Sequence, residues 1–181
     1  MLPQQERESP ESLHVDVIVD DDIQTPMPIE QMIEAVRTAC RFQACDRGSI
    51  GIRITDDPEI HRINRDYLQH DYPTDVISFG YQLEPPHVEG ELVVSFDTAR
   101  READVTGWCS ASELLLYIVH GTLHICGLDD QEIEARNEMR HAEQHVMRQL
   151  GVIEIEKHGV DVQTNEPSKT QRPSTLKEKR A

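Results

Sequence analysis

Two apolar periods organise the chain. Residues 13–19 (LHVDVIV) alternate with a period of two and predict a strand. Ile50, Ile52 and Ile54 repeat that period within 49–55, the second predicted strand. Between them, after Pro26 and Pro28, the period changes. Ile29, Met32, Ile33, Val36 and Cys40 recur at helical spacing and predict a helix over 28–44. Asp57-Pro58 reads as an N-cap with proline at the first helical position, opening a short helix over 58–67 with Ile60 and Ile63 inward. Residues 68–75 are polar and read as a loop. Residues 76–79 (VISF) and 91–96 (ELVVSF) are the third and fourth predicted strands, separated by a loop holding Pro85-Pro86. A helix over 97–106 is expected to end near Gly107.

The segment from Ser110 is the most apolar. Ser110 and Glu113 have the spacing of a capping box. Leu114, Leu115, Ile118, Val119 and Leu123 leave this helix apolar on most faces, so it is expected at the centre of the fold. Gly127 suits the left-handed turn that stops a helix. Asp130 is expected to cap a last helix over 131–150, where Met139, Ala142, Val146 and Leu150 form a stripe. Strands and helices mix without regular alternation. The expected class is α+β: one domain, a small mixed sheet of about four strands and about five helices.

Composition changes this picture at the ends. Only 37% of the 181 residues are hydrophobic, and the deficit lies in residues 1–12 and 157–181, which are polar and hold proline. Both are expected to be disordered tails, the second one basic, around a folded domain at 13–156. The formal net charge is −16, and between 13 and 154 there are 11 Arg, no Lys and 27 acidic residues. Such a body is a poor general nucleic-acid binder, because phosphate contacts need clustered cations. No run of eighteen apolar residues predicts a membrane span, and the first residues lack the basic and then apolar order of a secretion signal. Cys40, Cys45, Cys109 and Cys126 form no CxxC pair and are expected to be free thiols in the cytoplasm.

The candidate chemistry lies in His120-Gly121-Thr122-Leu123-His124-Ile125-Cys126-Gly127-Leu128-Asp129-Asp130. His120 and His124, four apart on a helix, share one face and can bind one ion. The break at Gly127 lets the chain return an acid, Asp129 or Asp130, to the same ion. Two imidazoles and a carboxylate leave an open position for water on Zn²⁺. The spacing is that of metzincin proteases, but their general-base Glu after the first His is Gly121 here, which turns the reading away from peptide hydrolysis. His141 and His145 repeat the spacing on a charged helix without a glycine break and are expected at the surface.

This segment resembles the HGxLHLxGxDH signature of the YbeY endoribonucleases, or rRNA maturation factors. Asn64-Arg65, Tyr67 and the stretch from Asp71 to Phe79 resemble the family's NRxYRxKDxPTDVLSF, and Gly90 to Ser95 its GDIVIS strand. The likeness covers about residues 49–151. It implies a metal-dependent, single-strand-specific endoribonuclease that matures the 3′ end of small-subunit rRNA and serves ribosome quality control. It further implies one zinc ion on His120, His124 and Asp130, with His120 as a catalytic position. The implied partners are single-stranded RNA and the small ribosomal subunit, with no DNA and no membrane. The chain departs from the family twice. The third signature His is Asp130, and the loop cations after Tyr67 are Leu68 and His70. Arg53, Arg65 and Arg101 are candidates to replace them. The alternative reading is a ribosome-associated binding factor that keeps the metal site with little nuclease activity.

Overall fold

The computed structural model describes residues 12–152. The tails expected at 1–12 and 157–181 lie outside them, Ser12 excepted, as does the end of the expected domain beyond residue 152.

Nine elements follow in the order β1 (Leu13–Val19), α1 (Ile29–Phe42), β2 (Arg47–Thr55), α2 (Asp57–Leu68), β3 (Val76–Glu84), β4 (His87–Ser95), α3 (Phe96–Thr106), α4 (Ser110–Ile125) and α5 (Ile133–Gln149). The strands form one mixed sheet in the order β1-β2-β4-β3. The first three neighbours run parallel and β3 runs antiparallel to β4. This is the α+β domain of four strands and five helices that the periodicity predicts.

The alternation of each strand decides its two faces. Leu13, Val15, Ile50, Ile52, Ile54, Val88, Leu92 and Val94 face the main core, which α1, α4 and α5 complete. On the other face Ile77 and Val93 pack against Ile60 and Ile63 of α2, with the partly buried Phe79 beside them. Ten of the sixteen residues of α4 are buried. Each buried Leu or Ile there contributes about 1.5–3 kcal/mol relative to exposure, so α4 is a rigid base for whatever side chains it presents.

Several boundaries differ from the expected ones. The loop expected between the third and fourth strands is a hairpin: Leu83 pairs with Val88 and Glu84 with His87, joined through Pro85-Pro86. The outer half of β3 is exposed on both faces, so no apolar alternation marks it. The caps also shift. Asp56, not Asp57, caps α2, its Oδ1 accepting the Glu59 N–H at 2.9 Å. Cys109, not Ser110, caps α4, because its sulfur accepts the Ser112 N–H while Glu113 turns into the core. Asp130 does not cap α5, which starts three residues later after Glu132. All four cysteines are free: Cys40, Cys45 and Cys126 are buried, and Cys109 is exposed. Among the described residues no helix is long and apolar enough to cross a membrane.

Candidate metal centre

Glu113, Tyr117, His120 and His124 follow one another at helical spacing along one face of α4. The two imidazole rings stand 4.5 Å apart, edge to face at 89°. Their Nε2 atoms are 3.0 Å apart. Oδ2 of Asp130 lies 3.8 Å from each of them. His120, His124 and Asp130 thus offer three ligand atoms within 4.8 Å of one another.

The turn after α4 makes this possible. Gly127 has φ +96°, a left-handed conformation that a side chain would strain, and a Cβ there would meet Leu83 at 2.9 Å. The Leu128 N–H bonds back to the Leu123 carbonyl at 3.0 Å, which folds the chain over the end of the helix. Two acids follow, and they do different things. Asp129 is exposed, and its Oδ1 accepts the backbone N–H groups of Asp130 at 2.8 Å and Gln131 at 3.4 Å. It shapes the turn, whereas Asp130 joins the histidines.

The outer nitrogen of each ring is also fixed. Nδ1 of His120 lies 2.6 Å from Oε1 of Glu143 on α5. Nδ1 of His124 lies 2.9 Å from the Leu128 carbonyl. A carboxylate and a carbonyl only accept, so each Nδ1 carries the proton and each Nε2 turns a lone pair toward the other. Two lone pairs at 3.0 Å beside a carboxylate repel unless a metal cation lies among them or one Nε2 carries a proton and donates it to the other. Two nitrogens bound tetrahedrally to zinc at about 2.0–2.1 Å would stand about 3.3–3.4 Å apart, so the donor set fits such an ion. Burial opposes the protonated form of His120, but the Glu143 hydrogen bond and charge, with Asp75 and Asp130, outweigh it and hold its pKa above the ordinary imidazole value.

Glu143 is the site residue that the periodicity did not single out. Its signal is an acid four residues after Met139 and one after Ala142, on the edge of the buried stripe of α5. His141 and His145 are exposed, as expected, and His145 leans on Phe42 with ring centres 5.0 Å apart. Gly121 has a packing role. A Cβ there would meet Leu92 at 2.7 Å, Val76 at 2.9 Å and Ser78 at 3.0 Å, and its carbonyl accepts the Ser78 hydroxyl at 3.2 Å.

A cavity of about 460 Å³ runs beside α4, lined in part by Thr74, Asp75, Arg101, Glu113 and Tyr117. Burial raises the Glu113 carboxyl and the Tyr117 hydroxyl above their ordinary values.

The profile of the family described as endoribonuclease YbeY matches residues 17–151, which include every residue of this site. The chain belongs to the YbeY family. It is 49% identical over 152 residues to endoribonuclease YbeY of Rhodopirellula baltica, covering 78% of each chain. It is 37% identical over 150 residues to endoribonuclease YbeY of Chloroflexus aggregans, covering 76% of this chain and 96% of the relative. The solution structure of TM1509 from Thermotoga maritima shares the fold, with a TM-score of 0.54 at 18% identity over 84% of this chain and 99% of that one.

The three arginines expected to supply phosphate contacts lie apart from one another. Arg53 is bonded to Asp20 and Glu59 on the sheet face away from α4. Arg65 is exposed and paired with Asp66. Arg101 lines the cavity, held by Asp57 at 2.7 Å and Thr98 at 2.9 Å. Leu68 is exposed, and His70 stacks on Tyr72 with ring centres 5.4 Å apart.

Proposed function

We propose that this YbeY-family chain is a zinc-dependent, single-strand-specific endoribonuclease, with one zinc ion held by Nε2 of His120, Nε2 of His124 and the carboxylate of Asp130. The observation that carries the reading is the convergence of these three donors, with both Nδ1 atoms already committed elsewhere. The names of the relatives support RNA as the substrate. A bound divalent ion supplies Lewis acidity for activating water and for offsetting charge on the scissile phosphate.

The chain's own residues prepare that chemistry. Glu143 sets the tautomer and orientation of His120, and the Leu128 carbonyl does the same for His124. Asp130 makes the centre less positive than three imidazoles would, in keeping with oxygen as an accepted zinc donor. Gly121 lets α4 lie directly on β3 and β4, so the ligand pair sits against a rigid sheet. His120 is the catalytic position of this reading. The biological role that follows is maturation of the 3′ end of small-subunit rRNA and ribosome quality control in the cytoplasm, in contact with the small ribosomal subunit.

The test is cleavage of a single-stranded RNA oligonucleotide by zinc-loaded protein, with His120→Ala as control. Cleavage by the wild type alone supports the reading. Equal, background-level cleavage by a wild type with zinc bound overturns it and favours the ribosome-associated binding factor. The exposed Leu68, at a family cation position, is the observation that favours that alternative.

A further inference from the structure

The acidic body leaves open what receives the phosphates of an RNA strand. Arg41, Arg53, Arg62, Arg65 and Arg101 each face a carboxylate. Arg136 does not. Its Nε donates to the Asp130 carbonyl and its Nη2 to the Gln131 carbonyl, both at 3.1 Å. Among the described residues no acid lies close enough to form an ion pair with it. A carbonyl orients a guanidinium without cancelling its charge, so Arg136 keeps a full positive charge while its position is fixed.

That position is beside the candidate metal centre. Arg136 is bonded to the backbone of Asp130, the residue whose carboxylate meets the two imidazoles. On α5, Arg136 and Glu143 are seven residues apart, two turns along one face. Glu143 reaches His120 from that face, so the same face brings Arg136 toward the site. The side chain is exposed, and two of its five N–H groups are used, which leaves three for a ligand. A planar, pre-oriented fork with spare donors is suited to phosphate oxygens.

We propose that Arg136 is the phosphate-binding cation of this site and holds a phosphate of the RNA strand next to the metal-ligand loop. It takes over in this chain a charge that Leu68 does not provide. The inference rests on the RNA-cleaving reading above.

The experiment uses full-length, zinc-loaded protein and a fluorescent single-stranded RNA oligonucleotide, with initial rates measured at several KCl concentrations. Arg136→Gln should lower kcat/KM about tenfold, as loss of one charge-assisted contact would. It should also flatten the dependence of log kcat/KM on log salt by about 0.7, the share of one phosphate on a single strand. Arg136→Lys keeps the charge and should retain most of the salt dependence. Zinc content should stay at the wild-type level in both. An unchanged kcat/KM and salt slope in Arg136→Gln overturns the inference while leaving the nuclease reading intact. Loss of zinc in step with loss of activity also overturns it, and reduces Arg136 to a clamp on the Asp130 loop. A wild type that does not cut the RNA above the His120→Ala control removes the nuclease reading, and this inference with it.

Discussion

Oε1 of Glu143 stands 2.6 Å from Nδ1 of His120, across the ring from the Nε2 that faces His124. The pair joins α5 to α4 and settles which ring nitrogen is free. Replacing the acid should therefore be felt at the ion. Glu143→Gln is expected to weaken zinc binding about 10–100-fold, the usual cost of losing such a support. Competition with a chromophoric chelator reads this directly. Zinc affinity equal to that of the wild type would show that His120 does not depend on Glu143.

Gly121 gives a prediction on stability. An added methyl group would overlap Leu92, Val76 and Ser78, side chains held in the sheet by their own packing. Gly121→Ala is expected to destabilise the fold by about 1–3 kcal/mol, as overpacking does. Urea denaturation would show a lower midpoint at an unchanged slope. An unchanged midpoint would mean that α4 can lift from the sheet at little cost.

Acid should unfold the protein through the carboxylates around α2. Burial acts to raise the Asp57 carboxyl, but hydrogen bonds from Ser95, Arg101 and Thr98 outweigh it and hold its pKa below the ordinary range. The Arg62 hydrogen bond, joined by Arg53, brings Glu59 down to about 2. A depressed folded pKa contributes stability that is present above the unfolded value of about 4 and is lost as pH falls through the folded one. Tm should hold from neutral pH to about pH 5, then fall toward pH 2. The Asp57→Asn, Glu59→Gln double variant should have a lower Tm at pH 7 and a shallower acid limb. Parallel limbs in the two proteins would contradict the assignment.

Much of this architecture is legible in the sequence, for physical reasons. Strict alternation in 49–55 and the helical repeat in 29–40 each bury one face, and one-faced burial leaves a period. The cluster of His120, His124 and Asp130 is legible because helix spacing and the glycine turn are both local. Three things were hidden. The outer half of β3 is exposed on both faces and carries no period. The cap of α2 differs by one residue because Asp56 and Asp57 are both competent caps, and only the tertiary bonds of Asp57 to Ser95, Thr98 and Arg101 decide between them. Glu143 was hidden because its partner is 23 residues away, a contact that no local pattern encodes.

The two acids after the glycine turn separate function from shape. Asp129→Ala removes an acceptor for two backbone N–H groups and should loosen the loop, weakening zinc binding in part. Asp130→Ala removes a ligand and should cost far more. The reverse order would make Asp129 the donor.

Elemental analysis of the purified protein tests the centre most directly. Wild type is predicted to hold close to one zinc per chain, and His120→Ala, His124→Ala and Asp130→Ala close to none while remaining folded by circular dichroism. Zinc at the wild-type level in all three variants would contradict the account.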